Sequence, residues 1–304
     1  MRNPKTVGQK LRSALSNSLN LGERLDEIKL NQGLILSELN RGKSSLRLRD
    51  YEFRIFSQCG EDGIIQHLID VVPLADDTFI EFGAADFWES NCRFLLCKDD
   101  WRGFVMDGSA DNVAEIQASS YYWQHDFTAL AAFITRDNIN ELLARSGFGH
   151  DLGILSIDID GNDYYVLEAI QDYRPRILIC EYNAVFGPTR KISVPYVADF
   201  ERNAVHYSNL YFGASLGAMT HGAMKKGYSL VGVNTNRSNA FYVRDDLLND
   251  RLEVLTAEAA YVPSRAREGR DPEGRLSLVG GEDRLNLLQG MPVFNVESGE
   301  MESL

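Results

Sequence analysis

The stretch GILSIDIDGND, residues 153–163, is an apolar run that ends in three carboxylates, Asp158, Asp160 and Asp163. An isolated buried carboxylate is costly, so these side chains should have a metal ion, a basic group or a polar ligand as partner. Asp-Gly-Asn-Asp is also ordinary turn chemistry, and on this stretch alone that alternative stays open. Other apolar runs that end in or next to an acid are TFIEFG (78–83), GFVMDG (103–108) and RILICEY (176–182).

From residue 50 onward, these runs alternate with segments of helical length. This alternation predicts an α/β fold with a Rossmann-like, mostly parallel sheet that is buried on both faces. Near the end of this region, YSLVGVN (228–234) and NAFYVRD (239–245) predict an antiparallel hairpin at the sheet edge. We therefore expect a helical arm over residues 1–49, the α/β domain over 50–262, and a C-terminal extension over 263–304 that acts as a lid or a strap.

Composition narrows the class of protein. With 304 residues, 44% of them hydrophobic, the chain can bury a substantial core. No apolar run approaches the ~20 residues that a membrane-spanning helix needs, and the first residues do not resemble a secretory signal. The four cysteines lack metal-ligand spacing and are expected to be reduced thiols, which predicts a cytoplasmic protein.

Charge is unevenly distributed along the chain. The net charge of −13 argues against nucleic acid as a partner, because phosphate binding needs a basic surface. Residues 1–49 nevertheless hold ten Lys/Arg and four Asp/Glu, a local charge of +6. Because these positive charges are scattered, we favour a solvated helix, and peripheral contact with an anionic membrane is the alternative.

The arm carries a heptad pattern in which positions alternate at spacings of three and four. Its members are Leu11, Ala14, Ser18, Leu21, Leu25, Ile28, Gln32, Ile35 and Leu39. Such a pattern is typical of the a/d seam of a coiled coil, so we predict a homo-oligomer formed through this helix. Gln32, Gly22 and Gly33 weaken the pattern, and a single helix packed on its own domain is the alternative.

In an open parallel sheet, ligands bind at the carboxyl ends of the strands. Glu81 and Gly83 lie where the first predicted strand ends, and a glycine there permits a positive φ and close backbone approach. Asp107 follows 24 positions after Gly83 and is placed to accept the hydroxyls of a ribose. Asp126 is predicted to lie near the amino group of an adenine. The sequence therefore predicts a nucleoside site.

The turn after Gly83 fits a dinucleotide poorly, because no second or third glycine follows to admit a pyrophosphate. Asp86 in this turn would also repel phosphate groups. An acidic turn suits a ligand with positive charge, such as S-adenosylmethionine, which favours a methyltransferase. A nicotinamide-dependent oxidoreductase and a non-catalytic scaffold are the alternatives.

Several motifs resemble those of FkbM-type and related class I S-adenosylmethionine-dependent methyltransferases of bacterial saccharide clusters. They are SQCGEDGII, FIEFGAADFWESN, LSIDIDGNDYYVLEAI, EYNAVFGP and the segment from YFGASLG to YVRDDL, within residues 53–247. The resemblance implies a seven-stranded sheet with an antiparallel last strand, and methyl transfer to an oxygen, often a hydroxyl of a saccharide or glycan acceptor. It also implies cofactor-binding roles for Glu81, Gly83, Asp107 and Asp126.

The SQCGED motif has two open interpretations. In one interpretation, Ser57 is the cap of a helix whose first turn holds Glu61 and Asp62, which is normal capping chemistry. In the other interpretation, Gln58 and Glu61 reach the methionine end of the cofactor.

The acids of residues 158–160 gain a neighbour in the next predicted strand, which ends at Glu181 and Asn183. Oxygen-bearing side chains on adjacent strand ends suit Mg²⁺, and we predict Asp160, Glu181 and Asn183 as its ligands. Asp158 and Asp160 are the predicted catalytic acids. In the competing version without a metal, an Asp, His206 or His221 is the general base.

Overall fold

A computed structural model describes residues 7–264 and 269–304, without the side chains of residues 7–20 and 23. The helices are α1 (Val7–Arg41), α2 (Glu61–Val71), α3 (Arg93–Asp99), α4 (Ala110–Ala118), α5 (Ser120–Gln124), α6 (Ile139–Ala144), α7 (Asp163–Ala169), α8 (Arg202–Val205), α9 (Leu216–Lys225), α10 (Ala257–Ala260) and α11 (Asp283–Asn286). The strands are β1 (Thr78–Phe82), β2 (Arg102–Asp107), β3 (Phe127–Ala131), β4 (Ile154–Ile157), β5 (Ile177–Glu181), β6 (Ile192–Ser193), β7 (Tyr228–Val233), β8 (Asn239–Arg244), β9 (Pro292–Asn295) and β10 (Glu300–Ser303).

Seven strands form one sheet in the order β3-β2-β1-β4-β5-β8-β7. The first five are mutually parallel, whereas β8 runs antiparallel to both of its neighbours. The chain moves outward from β1 in one direction and from β4 in the other, so the order reverses between these two strands. These findings confirm the predicted Rossmann-like sheet with its antiparallel last strand.

The sheet is buried on both faces, as the continuous apolar runs predict. Along β5, Leu178 and Cys180 contribute to one hydrophobic core, and Ile177 and Ile179 contribute to the other. All four side chains are fully buried. This layering leaves the carboxyl ends of the central strands as the place where polar side chains gather.

The edge strand β3 was not among the predicted apolar runs. Phe127 and Ala129 are buried, whereas Thr128 and Ala131 are exposed, so the strand alternates instead of forming an apolar run. Asp126 directly precedes this strand. It therefore lies at the amino-terminal edge of the sheet, opposite to the edge where the acids of β1, β2 and β4 end.

The C-terminal extension builds a second sheet in the order β10-β9-β6. Leu288 and Val293 from the extension are fully buried against Ile192, Val194 and Tyr211 of the α/β domain. The extension is therefore a strap that completes a second hydrophobic core.

Helix α1 packs against the α/β domain through one face. Asp26 forms an ion pair with the buried Arg93 at 2.7 Å, and the Asn40 amide donates to the Tyr51 carbonyl at 2.6 Å. Gly33 lies so close to the Phe94 ring that an added Cβ would overlap it. In the described part of the chain, no helix is long and apolar enough to span a membrane.

Candidate active site

A cavity of about 650 Å³ opens at the carboxyl ends of β1, β2 and β4. Six acids line it: Glu81, Asp86, Glu89, Asp107, Asp158 and Asp160. None of the described residues that line it is a lysine, arginine or histidine. The cavity therefore favours a cationic or neutral ligand and disfavours a pyrophosphate.

The turn after β1 brings two strand ends together at its glycine. Gly83 has φ +68°, and an added Cβ would overlap the carbonyl oxygen of Asp158. Ala85 and Phe87 also have positive φ, a conformation that costs roughly 1 kcal/mol for a residue with a side chain. The Phe87 ring is fully buried, 4.7 Å from that of Phe127. The Phe87 side chain thus anchors the turn in the hydrophobic core and does not line the cavity.

Asp107 is held in place by the loops it connects. One carboxylate oxygen accepts from the Ala85 amide at 2.9 Å, and the other accepts from the Ser109 amide and the Asn112 side chain. The carboxylate has about four lone-pair sites and these three donors fill three of them, so Oδ2 retains capacity for one ribose hydroxyl. Asp107 lines the cavity where the sequence predicts it, and Asn112 is a neighbour that sequence reasoning missed.

Glu81 also lines the cavity, yet its carboxylate accepts hydrogen bonds from neighbouring protein groups. It accepts from the Ser90 hydroxyl at 2.6 Å and from the amides of Asn91 and Cys92, just before α3 begins. Burial raises the pKa of Glu81, while these three hydrogen bonds act in the opposite direction. Glu81 therefore fixes the loop that forms one wall of the cavity.

The SQCGED motif folds around a buried carboxylate. Asp62 accepts from the amides of residues 55–57 and from the Ser57 hydroxyl, at 2.7–2.8 Å. The Asp62 amide, in the first turn of α2, in turn donates to the Ser57 hydroxyl at 3.1 Å, although the N-cap residue of this helix is Gly60 and not Ser57. Gln58 lines the cavity, whereas Glu61 is fully buried and accepts from the side chains of Asn234 and Asn239. Of the four polar residues Ser57, Gln58, Glu61 and Asp62, Gln58 is the exposed one, and the predicted contact of Glu61 with the cofactor is therefore wrong.

The predicted adenine contact of Asp126 is wrong. Its exposed side chain forms an ion pair with Arg102 at 2.8 Å at the amino-terminal edge of the sheet, and it does not line the cavity. The loop after β3 lies at the correct edge and contributes Ala132, Phe133 and Ile134 to the lining. Phe133 is half exposed there and offers a ring for stacking on a base. The alternation of residues 127–131 would have revealed this strand and its loop.

Asp158, Asp160 and Glu181 form a carboxylate cluster, in which one oxygen from each lies within 4.8 Å of the others. Burial and the neighbouring carboxylates raise the pKa of both Asp158 and Glu181 well above their ordinary values. Oε2 of Glu181 is buried and has no hydrogen-bond partner among the described residues. The cluster therefore needs a shared proton or a cation to balance its charge.

Asp160 reaches this cluster from a turn and not from a continuing strand. Its φ of +57° is left-handed, and its half-exposed carboxylate pairs with Arg202 at 2.7 Å. The guanidinium of Arg202 also stacks on the Phe212 ring, 3.6 Å from its centroid. The backbone thus turns at Asp160 and does not continue the extended strand, yet the carboxylates of Asp158 and Asp160 still meet. Arg202, which is 42 residues away, was not predicted.

Asn183 is not available as a metal ligand. Its amide nitrogen donates to the carbonyls of Leu210 and Phe212, and its oxygen accepts from the Val185 amide at 2.9 Å. The side chain is buried and holds together the loops beside β5. The predicted magnesium ligand set therefore loses Asn183 and gains Asp158.

Neither histidine is placed to act as a general base. The His206 ring bonds to the Ser208 hydroxyl at 2.7 Å and lies beside Tyr207, and it does not line the cavity. His221 lies on α9 and is also absent from the lining. Burial lowers the pKa of both rings. The predicted catalytic role of His206 is therefore wrong.

The carboxylate cluster fits a hard divalent cation by its chemistry. Three carboxylates on two adjacent strand ends suit Mg²⁺, which prefers oxygen ligands and keeps several waters. The Glu181 oxygen that has no partner among the described residues could be satisfied by such a cation or by a shared proton. Asp158, Asp160 and Glu181 are the residues that would hold such an ion.

No family model and no curated protein matches the chain. Similar solved structures include an SAH-bound methyltransferase, PaMTH1, from Podospora anserina (10% identity, 80% of this chain and 99% of that chain, TM-score 0.41). Another is an S-adenosylmethionine-dependent methyltransferase from Clostridium acetobutylicum (10% identity, 60% of this chain and 88% of that chain, TM-score 0.38). A third is an O-methyltransferase family protein from Burkholderia thailandensis (11% identity, 60% of this chain and 58% of that chain, TM-score 0.36).

The chain spans about half the length of some of these proteins: 58% of the Burkholderia protein and 50% of a chain in a Haloferax volcanii complex with the Trm112 methyltransferase activator. With TM-scores below 0.5, these similarities decide nothing about activity. The strand order and the antiparallel β8 give the chain a Rossmann-like methyltransferase fold. Its activity has to be inferred from its own site.

Proposed function

We propose that this protein is an S-adenosylmethionine-dependent O-methyltransferase that acts on a hydroxyl of a saccharide or glycan precursor. The observation that carries the proposal is the acidic cavity at the switch point of the sheet, with Asp107 at the end of β2 and no basic residue among its described lining. Such a site suits a sulfonium nucleoside and disfavours a dinucleotide. The saccharide acceptor rests on the resemblance of the sequence motifs.

In this mechanism, the protein binds, orients and deprotonates. Asp107 accepts a hydrogen bond from one ribose hydroxyl, Phe133 and Ile134 flank the base, and the acids near Gly83 attract the positively charged sulfonium of the cofactor. S-adenosylmethionine, when bound, supplies the electrophilic methyl group. The acceptor hydroxyl binds at the carboxylate cluster, and Asp158 takes its proton.

Burial and the neighbouring carboxylates raise the pKa of Asp158, which strengthens the affinity of this carboxylate for the proton of the acceptor hydroxyl. A divalent cation at the cluster, when bound, would lower the pKa of the acceptor hydroxyl. Arg202 then holds Asp160 in place and balances part of the negative charge.

Calorimetry with S-adenosylhomocysteine tests the cofactor assignment. The wild type should release heat on binding, and Asp107→Asn should weaken binding by about tenfold or more, since a charged hydrogen bond contributes about 1.5–3 kcal/mol. Asp126→Asn is the matched control, because this acid lies at the opposite edge of the sheet. Binding of NADH in place of S-adenosylhomocysteine would indicate an oxidoreductase, and binding of neither would indicate a scaffold.

Manganese binding, followed by electron paramagnetic resonance, tests the metal assignment separately. We expect wild-type protein to bind Mn²⁺ and Glu181→Gln to lose most of this affinity, while S-adenosylhomocysteine binding is retained. If wild-type protein binds no Mn²⁺, the cluster works with a shared proton instead.

A further inference from the structure

Helix α1 has a second face that the α/β domain does not cover. Five apolar side chains on it are at least half exposed: Leu21 (59%), Leu25 (50%), Ile28 (62%), Ile35 (63%) and Leu39 (64%). Together with the exposed Gln32, they follow spacings of 4, 3, 4, 3 and 4, and we call these six residues the seam. The side chains of Leu11, Ala14 and Ser18, the other predicted members, lie outside the described part of the structure.

The seam is distinct from the face that docks on the protein's own domain. That face consists of Gly33, Ser37 and Asn40, which are buried, and of Asp26 in its ion pair with Arg93. At 100° per residue, the mean directions of the two faces differ by about 130° around the helix. Intramolecular docking therefore leaves the seam in solvent.

We propose that the seam binds the same seam of a second copy of this chain, as an antiparallel two-helix coiled coil. The seam spans 19 residues, about 28 Å of helix, and a coiled coil needs a partner helix of similar length. Apart from α1, the longest helix in residues 7–264 and 269–304 is the 11-residue α2, which is packed in the domain. A second copy supplies the missing helix.

An antiparallel arrangement with its two-fold axis at residue 30 pairs every member of the seam. Leu21 meets the partner's Leu39, Leu25 meets the partner's Ile35, and Ile28 meets the partner's Gln32. Each layer joins an a position to a d position, as antiparallel coiled coils require. Gln32 is polar, so it weakens the two layers that it forms with Ile28 of the other copy. It also fixes the register, because polar residues in a coiled-coil core specify register at a cost in stability.

Charges beside the seam favour the same orientation. The antiparallel pairing places Arg24 opposite the partner's Glu38, twice per dimer, and both side chains are exposed. A parallel pairing would instead oppose Arg24 to the partner's Lys29, and like charges repel. The antiparallel pairing places Lys29 opposite the partner's Lys29. This costs little, because the Lys29 ammonium lies over the Phe56 and Trp88 rings of its own domain, 5.4 and 5.2 Å from their centroids.

Analytical ultracentrifugation of the full chain tests the dimer. We expect twice the chain mass of 34.2 kDa for the wild type, and the monomer mass for Ile28→Asp. Leu34→Asp is the matched control, because the Leu34 side chain has the same size as that of Ile28 and is 50% exposed but lies outside the seam. All three proteins should bind S-adenosylhomocysteine alike, so failure of this proposal is separate from failure of the proposed function.

A charge exchange tests the orientation. Arg24→Glu and Glu38→Arg should each raise the dimer dissociation constant roughly two- to tenfold, and the double variant should restore it, because exposed ion pairs are weak. Loss in both single variants without restoration in the double variant would overturn the antiparallel register. A monomeric wild type would overturn the dimer, and a monomer that binds anionic vesicles through the seam would assign the seam to a membrane.

Discussion

Gly83 lies where the chain after β1 passes close to the chain after β4. We expect Gly83→Ala to destabilise the protein by several kcal/mol, because its Cβ would overlap the Asp158 carbonyl and its φ is already unfavourable. Gly147 has the same φ of +68° but nothing within 4 Å, so Gly147→Ala should cost about 1 kcal/mol. Urea unfolding measures both. Equal losses in the two variants would show that the close approach is unimportant.

His67 is a buried, neutral histidine on α2, and its ring stacks on that of Tyr51 with the ring centroids 3.6 Å apart. Burial, and secondarily the charge of Arg251, lowers its pKa to about 4. The unfolded chain therefore binds more protons than the folded protein between about pH 6.5 and pH 4. Its contribution to stability is complete above about pH 6.5 and is lost as the pH falls towards 4.

His67→Phe keeps the stacking but removes the titration. We expect the wild type to lose on the order of 1–2 kcal/mol more stability than His67→Phe between pH 7 and pH 4.5, allowing for partial screening by solvent. Thermal unfolding of both proteins across this range measures the difference. Parallel stability curves would show that another group causes the pH dependence.

At the scale of elements, the docking of α1 depends on a helix glycine. An alanine normally stabilises a helix interior by about 1 kcal/mol over glycine. Gly33→Ala should nevertheless lower the melting temperature, because its Cβ would overlap the Phe94 ring and push the helix away. Gly22 has nothing within 4 Å, so Gly22→Ala should not lower it. A higher melting temperature in both variants would show that the docking of α1 does not depend on close contact at Gly33.

The central elements were predictable because their signals are local. The apolar runs of β1, β2, β4 and β5, each ending near an acid, fix the sheet and the place of Asp107 and Asp158. The edge strand β3 alternates instead, so it was missed and Asp126 was assigned to the wrong edge. A single misplaced strand boundary is thus enough to move a candidate residue to the other side of the molecule.

The rest of the site depends on contacts between distant parts of the chain. Arg202 forms an ion pair with Asp160 across 42 residues of sequence. The Asn183 amide donates to two backbone carbonyls that are nearly 30 residues away in sequence. No sequence periodicity encodes such pairings. The heptad pattern of α1 also left two alternatives, and the structure shows docking on the domain while the seam stays exposed.

At the scale of the whole molecule, the C-terminal extension supports one wall of the active site. Its buried Leu288 and Val293 pack in the second core with Phe200 and Phe212, and Phe200 also lines the cavity. Phe212 in turn lies under the guanidinium of Arg202, which holds Asp160. The extension is therefore coupled to the carboxylate cluster through one continuous core.

Val293→Asp tests this coupling, because it places a carboxylate at a fully buried position of β9. We expect a loss of several kcal/mol in stability, and new protease cleavage within residues 195–212 as the second core opens. Met301→Asp, on the adjacent strand β10, is the control, since Met301 is 56% exposed. If Val293→Asp matched this control in both melting temperature and cleavage pattern, the second core would not support the wall that carries Phe200 and Arg202.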